Sequence, residues 1–492
     1  MKQLDKLLEG VEVLEWVGEA ATEIAGLSFD SRHIEQGFCF FAIRGTASDG
    51  HLYIDRAIEA GAIAVVCETL PEERREGITY ARVEDANAAV ARAATNFYGN
   101  PSRELKLVGV TGTNGKTTTA TLLADLFKAL GYATGLISTV VYRVGERTIP
   151  STHTTPDALR LNAMLREMVD SGVEYCFMEV SSHAIAQKRV EGLHFAGAIF
   201  SNLTHDHLDY HHTFAEYLRV KKSLFDQLPK EAFALVNIDD RNGRVMVQNT
   251  RARVATYSLR SVADFHCRIL EMHFDGMLLK VGEQELWVNQ LGRFNAYNLL
   301  SIYATAILLG ASTEEVLCAL TTLRSVDGRF EAIPAQDGTV ALVDYAHTPD
   351  ALENVLQTIE EIRRPNQRLF VVCGCGGDRD RTKRPEMAAI ALKYATCALF
   401  TSDNPRSESP EAILDEMTQG IPASARYIRE ADRSRAIFQA VMLSRPGDII
   451  LVAGKGHETY QIIGDRKEHF DDREEVRRAF EAKAKSAAMM ES

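Results

Sequence analysis

From Leu105 onward, short apolar runs alternate with longer stretches in which apolar positions recur every three or four residues. The first series comprises LKLVGVT, a helical stretch from Thr117 to Leu130, GLIST, a helical stretch from Pro156, CFMEVSS, AGAIFSNL, a helical stretch from Phe214, and FALVNID. Short apolar runs suit strands buried on both faces, and the 3.6-residue period suits helices that cover those faces. The alternation therefore predicts parallel βαβ units. A second series follows Arg329: TVALVDY, a helix from Asp350, RLFVVCGCGG, a helix from Arg384, CALFTSD, a helix from Pro410, and DIILVAGKG. It predicts another α/β unit. Ahead of both, residues 1 to about 100 hold shorter strands (Ile63–Cys67, Tyr80–Val83) and small helices, closed by the turn-forming Tyr98-Gly99-Asn100-Pro101. At 492 residues the chain is too long for one core. The expected domains are 1–103, 104–332 and 333–492.

Leu299–Ala311 is the longest apolar stretch, but it contains Ser301, Tyr303 and Thr305 and is too short to span a bilayer, so it reads as a buried helix. The N-terminus, MKQLDKLLEGVEVLEW, is amphipathic without an uninterrupted apolar run, and no secretory signal is expected. Hydrophobic residues at 46% and charged residues at 25% leave little room for disordered tracts. A net charge of −13 argues against nucleic acid as the main partner, because phosphate backbones recruit a basic face. No membrane partner is expected either. Of eight cysteines only Cys373 and Cys375 lie close together, which gives neither a disulfide framework nor a CxxC zinc pattern. A reducing cytoplasm fits this usage.

In open α/β sheets, ligands gather at the carboxyl ends of strands, where the polar motifs of this chain fall. Gly112-Thr113-Asn114-Gly115-Lys116-Thr117-Thr118 follows one strand and opens a helix. Glycines let backbone N–H groups approach phosphate oxygens, the helix start adds positive potential, Lys116 adds a charge, and Thr117 can hold Mg²⁺. Val110 stands where the strict P-loop pattern has glycine. An ordinary helix-capping turn would account for the glycines but not for Gly-Lys-Thr-Thr. Gly374-Cys375-Gly376-Gly377 has Arg379 where a dinucleotide fingerprint needs its last glycine, so NAD is not expected. Glu179 ends the strand CFMEV, and His205-Asp206-His207-Leu208-Asp209-Tyr210-His211-His212 follows another strand. With Thr117, Glu179 and His207 make a candidate metal set. Oxygen ligands beside phosphate favour Mg²⁺, whereas the histidines alone would suit zinc. His211 and His212 read as surface-loop residues.

The strings TGTNGKTTT, EVSSH, SNLTHDHLDYH, GRFNAYNLL, DGRFE, DYAHTPDALE, GCGGDRDRTKRP, DNPRSE and LVAGKGHE run in order between about Leu27 and Gln461. Together they closely resemble the Mur ligases, and among these the enzymes that add 2,6-diaminopimelate to a UDP-muramoyl dipeptide. The resemblance implies three domains. An N-terminal domain would bind the UDP substrate, a central P-loop-like ATPase domain would carry a mostly parallel sheet, and a Rossmann-like C-terminal domain would bring the amino acid. It implies UDP-muramoyl-dipeptide contacts at Phe29, Ser31, Thr46, Ala47, Ser48, His153, Thr154, Thr155, Ser181, Gln187 and Arg189. Nucleotide contacts would extend from the loop to Asn295, Arg329, Asp344 and His347. Lys116, Glu179, His207 and Lys221 would be catalytic. Lys221 would be carbamylated to N6-carboxylysine and so become a metal ligand; without the resemblance it would read as a solvated helix lysine, with Lys222 the competing neighbour.

An amide does not form usefully from a carboxylate and an amine at neutral pH, because the oxyanion is a poor electrophile and a poor leaving group. ATP supplies the activation. The expected route is attack of the dipeptide's D-glutamate γ-carboxylate on the γ-phosphate, giving an acyl phosphate that the incoming amine intercepts. For meso-diaminopimelate the implied contacts are Arg379, Asp403, Asn404, Pro405, Arg406, Gly454 and Glu458. Arg406 can pair with the distal carboxylate that lysine lacks, and Glu458 with the distal ammonium. A solvent-facing turn with a surface ion pair is the plain alternative for Asp403–Arg406. Ligation with L-lysine, a folylpolyglutamate-type ligase and a nucleotide switch without ligation are the competing functions. The chain is expected to act as a monomer.

Overall fold

The structure is a computed structural model and describes residues 1–45, 48–204 and 208–491, the side chains of 208–209 and 487–491 excepted. Among the described residues three large sheets follow one another along the chain. The first has five strands in the order Val13–Val17, Thr79–Val83, Ala62–Cys67, Phe38–Ala42, Gly26–Ser28, parallel except for the first. The central sheet has eleven strands. Its parallel middle runs Thr134–Ile137, Tyr175–Glu179, Lys106–Thr111, Gly197–Phe200, Phe233–Asn237, Arg253–Ser258, Phe265–His273. The third sheet has six strands, in the order Glu331–Pro334, Val340–Asp344, Ile449–Ala453, Leu369–Cys373, Cys397–Phe400, Tyr427–Arg429. Its first strand straddles residues 332 and 333 and pairs antiparallel with the second.

The middle strands are buried along their whole length, as in Leu369–Cys373 and Ile449–Ala453, because helices cover both faces. On one face of the central sheet the helix Lys116–Ala129 sets Ala120, Leu123 and Phe127 against Val108, Leu136 and Phe177. On the other, Leu161, Leu165 and Met168 of Ala158–Asp170 join Tyr217 and Leu224 of Phe214–Asp226. Side chains decide where these helices start. Asp157 accepts from the N–H of Arg160, so the helix expected from Pro156 begins at Ala158. Thr348 caps Pro349–Ile362, with proline at the first turn. The expected Leu299–Ala311 helix lies within Arg293–Leu308, apart from its last three residues.

Antiparallel hairpins flank the parallel middle: Val141–Val144 with Arg147–Pro150 on one side, Gly276–Val281 with Gln284–Val288 on the other. The α/β alternation does not announce them. The dipeptides Gly145-Glu146 and Gly282-Glu283 sit at their turns, and a glycine-bearing pair between strand-like runs is the relevant signal.

In the C-terminal domain Arg433 and Asp472 form an ion pair at 2.7 Å with both side chains at 0% exposure. Arg433 also donates to the carbonyls of Ser402 (3.3 Å), just past the strand Cys397–Phe400, and Ala453 (3.0 Å), the last residue of Ile449–Ala453, two strands that flank Leu369–Cys373. Removing one partner strands a buried charge. Asp472→Ala is expected to destabilise this domain by about 3–5 kcal/mol, read as a lower urea midpoint. An unchanged midpoint would contradict the pair's importance.

Candidate active site

The strand Lys106–Thr111 delivers the chain into Gly112, whose φ of +149° excludes most side chains. A Cβ there would come within 2.0 Å of Ser201 Oγ. The loop is held by the end of the next strand: Thr113 N donates to Asn202 O (2.8 Å), Asn114 N to Asn202 Oδ1 (2.9 Å), and Ser201 Oγ to Asn114 O (2.6 Å). Gly115, at φ +87°, brings the backbone against Asn298 and caps the helix that starts at Lys116. Lys116 Nζ folds back onto Gly112 O (2.9 Å) and Thr113 O (2.8 Å). Lys221 reaches the same Gly112 oxygen at 2.9 Å and is only 1% exposed. It is therefore no solvated helix lysine, and its neighbour Lys222 pairs instead with Asp226 at 2.6 Å.

Glu179 ends the adjacent strand in register with Val110 and is buried. Thr139 fixes its carboxylate, donating N–H to Oε1 (2.7 Å) and Oγ1 to Oε2 (3.2 Å). From here a polar chain runs outward. Thr139 Oγ1 meets Thr154 Oγ1 at 3.0 Å, and Thr155 Oγ1 donates to Glu179 O at 2.8 Å and approaches Ser181 Oγ. Arg189 donates to Thr155 O (2.7 Å) and, through Nε, to Gln187 Oε1 (3.0 Å). The backbone of His153 is tied to the Tyr142 hydroxyl. The central-domain residues expected to contact the muropeptide thus form one connected patch beginning at Glu179. Phe29, Ser31 and Ser48 lie on the N-terminal domain, where Phe29 packs on its core and Ser48 Oγ meets the Tyr53 hydroxyl. Thr46, Ala47 and His207 lie outside the described residues.

A cavity of about 880 Å³ opens beside the loop and is lined from both the central and C-terminal domains. Asn114, Gly115, Thr118, Arg329, Asp344 and His347 line it. Asn295 stands behind it, donating to Leu291 O and accepting from Asn298 Nδ2, while Asn298 faces the cavity. Arg329 donates to the Thr117 hydroxyl at 3.2 Å and stacks on the Tyr345 ring at 4.5 Å. Burial pushes the Asp344 carboxyl above the usual carboxylate range, against the pull of Arg329 and the N–H groups of Phe330 and Ala346. Burial, aided by the cations of Arg329, Arg473 and Lys455, pushes His457 down to about 3, so this imidazole beside Tyr345 is neutral at pH 7. Asp350 of the C-terminal domain accepts from Asn114 Nδ2 (2.9 Å) and Thr204 Oγ1 (3.1 Å).

A second cluster forms at the ends of the C-terminal strands. Asn404 Nδ2 donates to Glu458 Oε2 at 2.9 Å, and Gln461 Nε2 to Asp403 O at 2.7 Å. Asp403, Asn404 and Pro405 are buried, so this segment is not a solvent-facing turn. Arg406, in the left-handed region at φ +51°, lays its guanidinium on Gly377 O at 2.7 Å. Arg379 is next to that loop, and Gly454 N donates to Asp344 O at 3.0 Å, joining the two clusters through the backbone.

His211 departs from expectation. It is 3% exposed, with its ring 5.2 Å from Tyr217 and 5.7 Å from His183, because it ends a short helix packed on Phe214–Asp226 rather than a surface loop; His212 is exposed. Thr139, Asn298, Asp350 and Lys455 are site residues that the motif reading did not single out. Among the described residues no three His, Cys, Asp or Glu side chains lie close enough to share a metal ion.

Three family descriptions match in chain order: "Mur ligase family, catalytic domain" over residues 23–104, "Mur ligase middle domain" over 110–306, and "Mur ligase, glutamate ligase domain" over 328–456. A protein of Phocaeicola vulgatus named UDP-N-acetylmuramoyl-L-alanyl-D-glutamate--2,6-diaminopimelate ligase is 54% identical over 480 residues, which is 97% of this chain and 99% of that protein. The chain belongs to the Mur ligase family. A protein of the same name from Listeria innocua is 42% identical to this Mur ligase, over 98% of this chain and 99% of its own. A solved structure with that name superposes with a TM-score of 0.70 at 32% identity, covering 98% of this Mur ligase and 100% of that chain. Folylpolyglutamate synthase of Mycobacterium tuberculosis shares the fold, with a TM-score of 0.61 at 17% identity over 75% of this chain and 92% of its own. This Mur ligase is therefore an amide-forming ligase of three α/β domains, as its motifs led us to expect.

Proposed function

We infer that this Mur ligase joins meso-2,6-diaminopimelate to the D-glutamate γ-carboxylate of UDP-N-acetylmuramoyl-L-alanyl-D-glutamate. ATP drives the reaction, the products are the UDP-muramoyl tripeptide, ADP and phosphate, and the step serves peptidoglycan synthesis. The observation that carries this reading is the strap Asp403–Arg406, buried through Pro405, which holds Asn404 on Glu458 and sets Arg406 alongside. A guanidinium and a carboxylate in one cluster match the carboxylate and ammonium at the far end of diaminopimelate.

ATP occupies the cavity with its phosphates at the start of the helix Lys116–Ala129. Lys116 leaves the loop carbonyls and neutralises charge building on the transferred phosphoryl group. Thr155, Ser181 and Arg189 hold the dipeptide so that its γ-carboxylate lies in line with that group, and proximity replaces a bimolecular encounter. The carboxylate displaces ADP and becomes an acyl phosphate. The amine of diaminopimelate attacks the acyl carbon, the C–O bond to phosphate breaks, and the amine's proton is lost. Glu179, the Thr117 hydroxyl and Lys221 as a carbamate would hold Mg²⁺, with His207 assigned alongside. The buried carboxylate and the hydroxyl are hard oxygen donors of the kind Mg²⁺ prefers over zinc. When bound, Mg²⁺ would supply countercharge to the phosphates. Carbamylation requires the Lys221 ammonium to lose one proton, its nitrogen to add carbon dioxide, and a second proton to leave as the N–C bond forms, turning a cation into an oxygen anion.

No helix among the described residues is long and apolar enough to cross a membrane. We assign the enzyme to the cytoplasm, as a monomer. The test is phosphate release with UDP-muramoyl-L-alanyl-D-glutamate and ATP while diaminopimelate, lysine and ornithine are supplied separately. Turnover with diaminopimelate is expected, and rapid turnover with lysine alone reverses the substrate assignment.

A further inference from the structure

Lys455 has no exposed side-chain surface, and a buried ammonium is costly unless it is paired and hydrogen-bonded. Its Nζ donates to Glu458 Oε2 at 3.0 Å and to Asn404 Oδ1 at 3.2 Å, and lies 5.5 Å from the centre of the Tyr460 ring. Asn404 closes the triangle, since its Nδ2 donates to the same Glu458 Oε2 at 2.9 Å while its Oδ1 also accepts from Ile462 N at 2.9 Å.

Two consequences follow from this geometry. A carboxamide is nearly symmetric in shape, so packing alone barely distinguishes its oxygen from its nitrogen. A cation and a backbone N–H on one end fix that end as the oxygen and aim the NH₂ at Glu458. Glu458 Oε2 is then occupied by two donors, while Oε1 accepts no hydrogen bond among the described residues. The carboxylate is held by one oxygen and presents the other.

We propose that Lys455 is a positioning residue for the amino-acid substrate: it locks Asn404 and Glu458 in the one arrangement that offers Glu458 Oε1 to the distal ammonium of diaminopimelate. This rests on the diaminopimelate reading above. Lys455 touches no reacting atom and acts through its two partners.

Lys455→Met keeps most of the length of the side chain and removes its charge. Wild-type enzyme is assayed first with ATP, the UDP-dipeptide and diaminopimelate; failure there overturns the substrate reading and not the role of Lys455. With an active wild type, Lys455→Met is expected to raise KM for diaminopimelate by at least about tenfold while kcat and the KM values for ATP and UDP-dipeptide stay within about twofold. A similar rise in all three KM values overturns the proposal, because it marks a loosened domain. A double-mutant cycle adds a readout that a purely structural lysine would not move. If Lys455 works through Glu458, Lys455→Met combined with Glu458→Gln has the KM of Glu458→Gln alone; multiplying effects overturn the proposal. Should Lys455→Met fail to fold, the double variant, which removes both charges, is compared with Glu458→Gln in its place. Equal KM values support the role, and a higher KM or a second folding failure overturns it.

Discussion

Lys116→Ala is expected to lower kcat by at least about 10³-fold while the protein melts close to the wild-type temperature. The asymmetry follows from where the side chain works. The loop takes its shape from Gly112 pressed against Ser201 and from the bonds that Thr113 and Asn114 make to Asn202. Lys116 rests on two loop carbonyls and is partly exposed, so losing it removes little packing. In the proposed reaction it is the cation at the start of the helix, where charge spreads over the transferred phosphoryl oxygens. Phosphate release at saturating substrates, with a melting curve alongside, reads both halves of the expectation. Activity within tenfold of wild type would remove the phosphate-site assignment.

Arg406→Ala is expected to raise KM for diaminopimelate on the order of 10²-fold, because truncating one side of a charge-assisted contact leaves the other charge unpaired. The KM for ATP should hardly move, since the Arg406 guanidinium rests on Gly377 O and not on the phosphate loop. Lysine, which has no distal carboxylate, should lose almost nothing, so the preference for diaminopimelate narrows. Steady-state kinetics with both amino acids decide it. Equal losses toward ATP and diaminopimelate would point to a damaged fold.

What was legible in the chain was what local physics dictates. Gly112 and Gly115 adopt backbone angles that a side chain would strain, and Lys116 directly after them announces an anion site. The β-branched runs at Leu369–Cys373 and Ile449–Ala453 are too uniformly apolar for anything but strands covered on both faces. What was not legible depends on residues far apart in sequence. Thr139 secures Glu179 from 40 positions away, and nothing around a threonine in a polar turn reveals that partner. Lysine in a loop ordinarily reads as exposed, and only the assembled strand ends show Lys455 enclosed between Asn404 and Glu458. Asn295 and Asn298 are three residues apart on one helix, and their spacing does not say which of the two reaches the cavity. His211 looked like part of a polar loop because its burial comes from packing on a later helix.

Asp472 is the first residue of the helix Asp472–Glu491, and the arginine it neutralises grips the carbonyls of Ser402 and Ala453. Those two carbonyls immediately precede Asp403 and Gly454. The helix from Asp472 is thus wired to the floor of the proposed amino-acid pocket. Trimming the protein back to before residue 472, which would pass for the removal of a peripheral appendage, amounts to cutting a foundation from under the substrate.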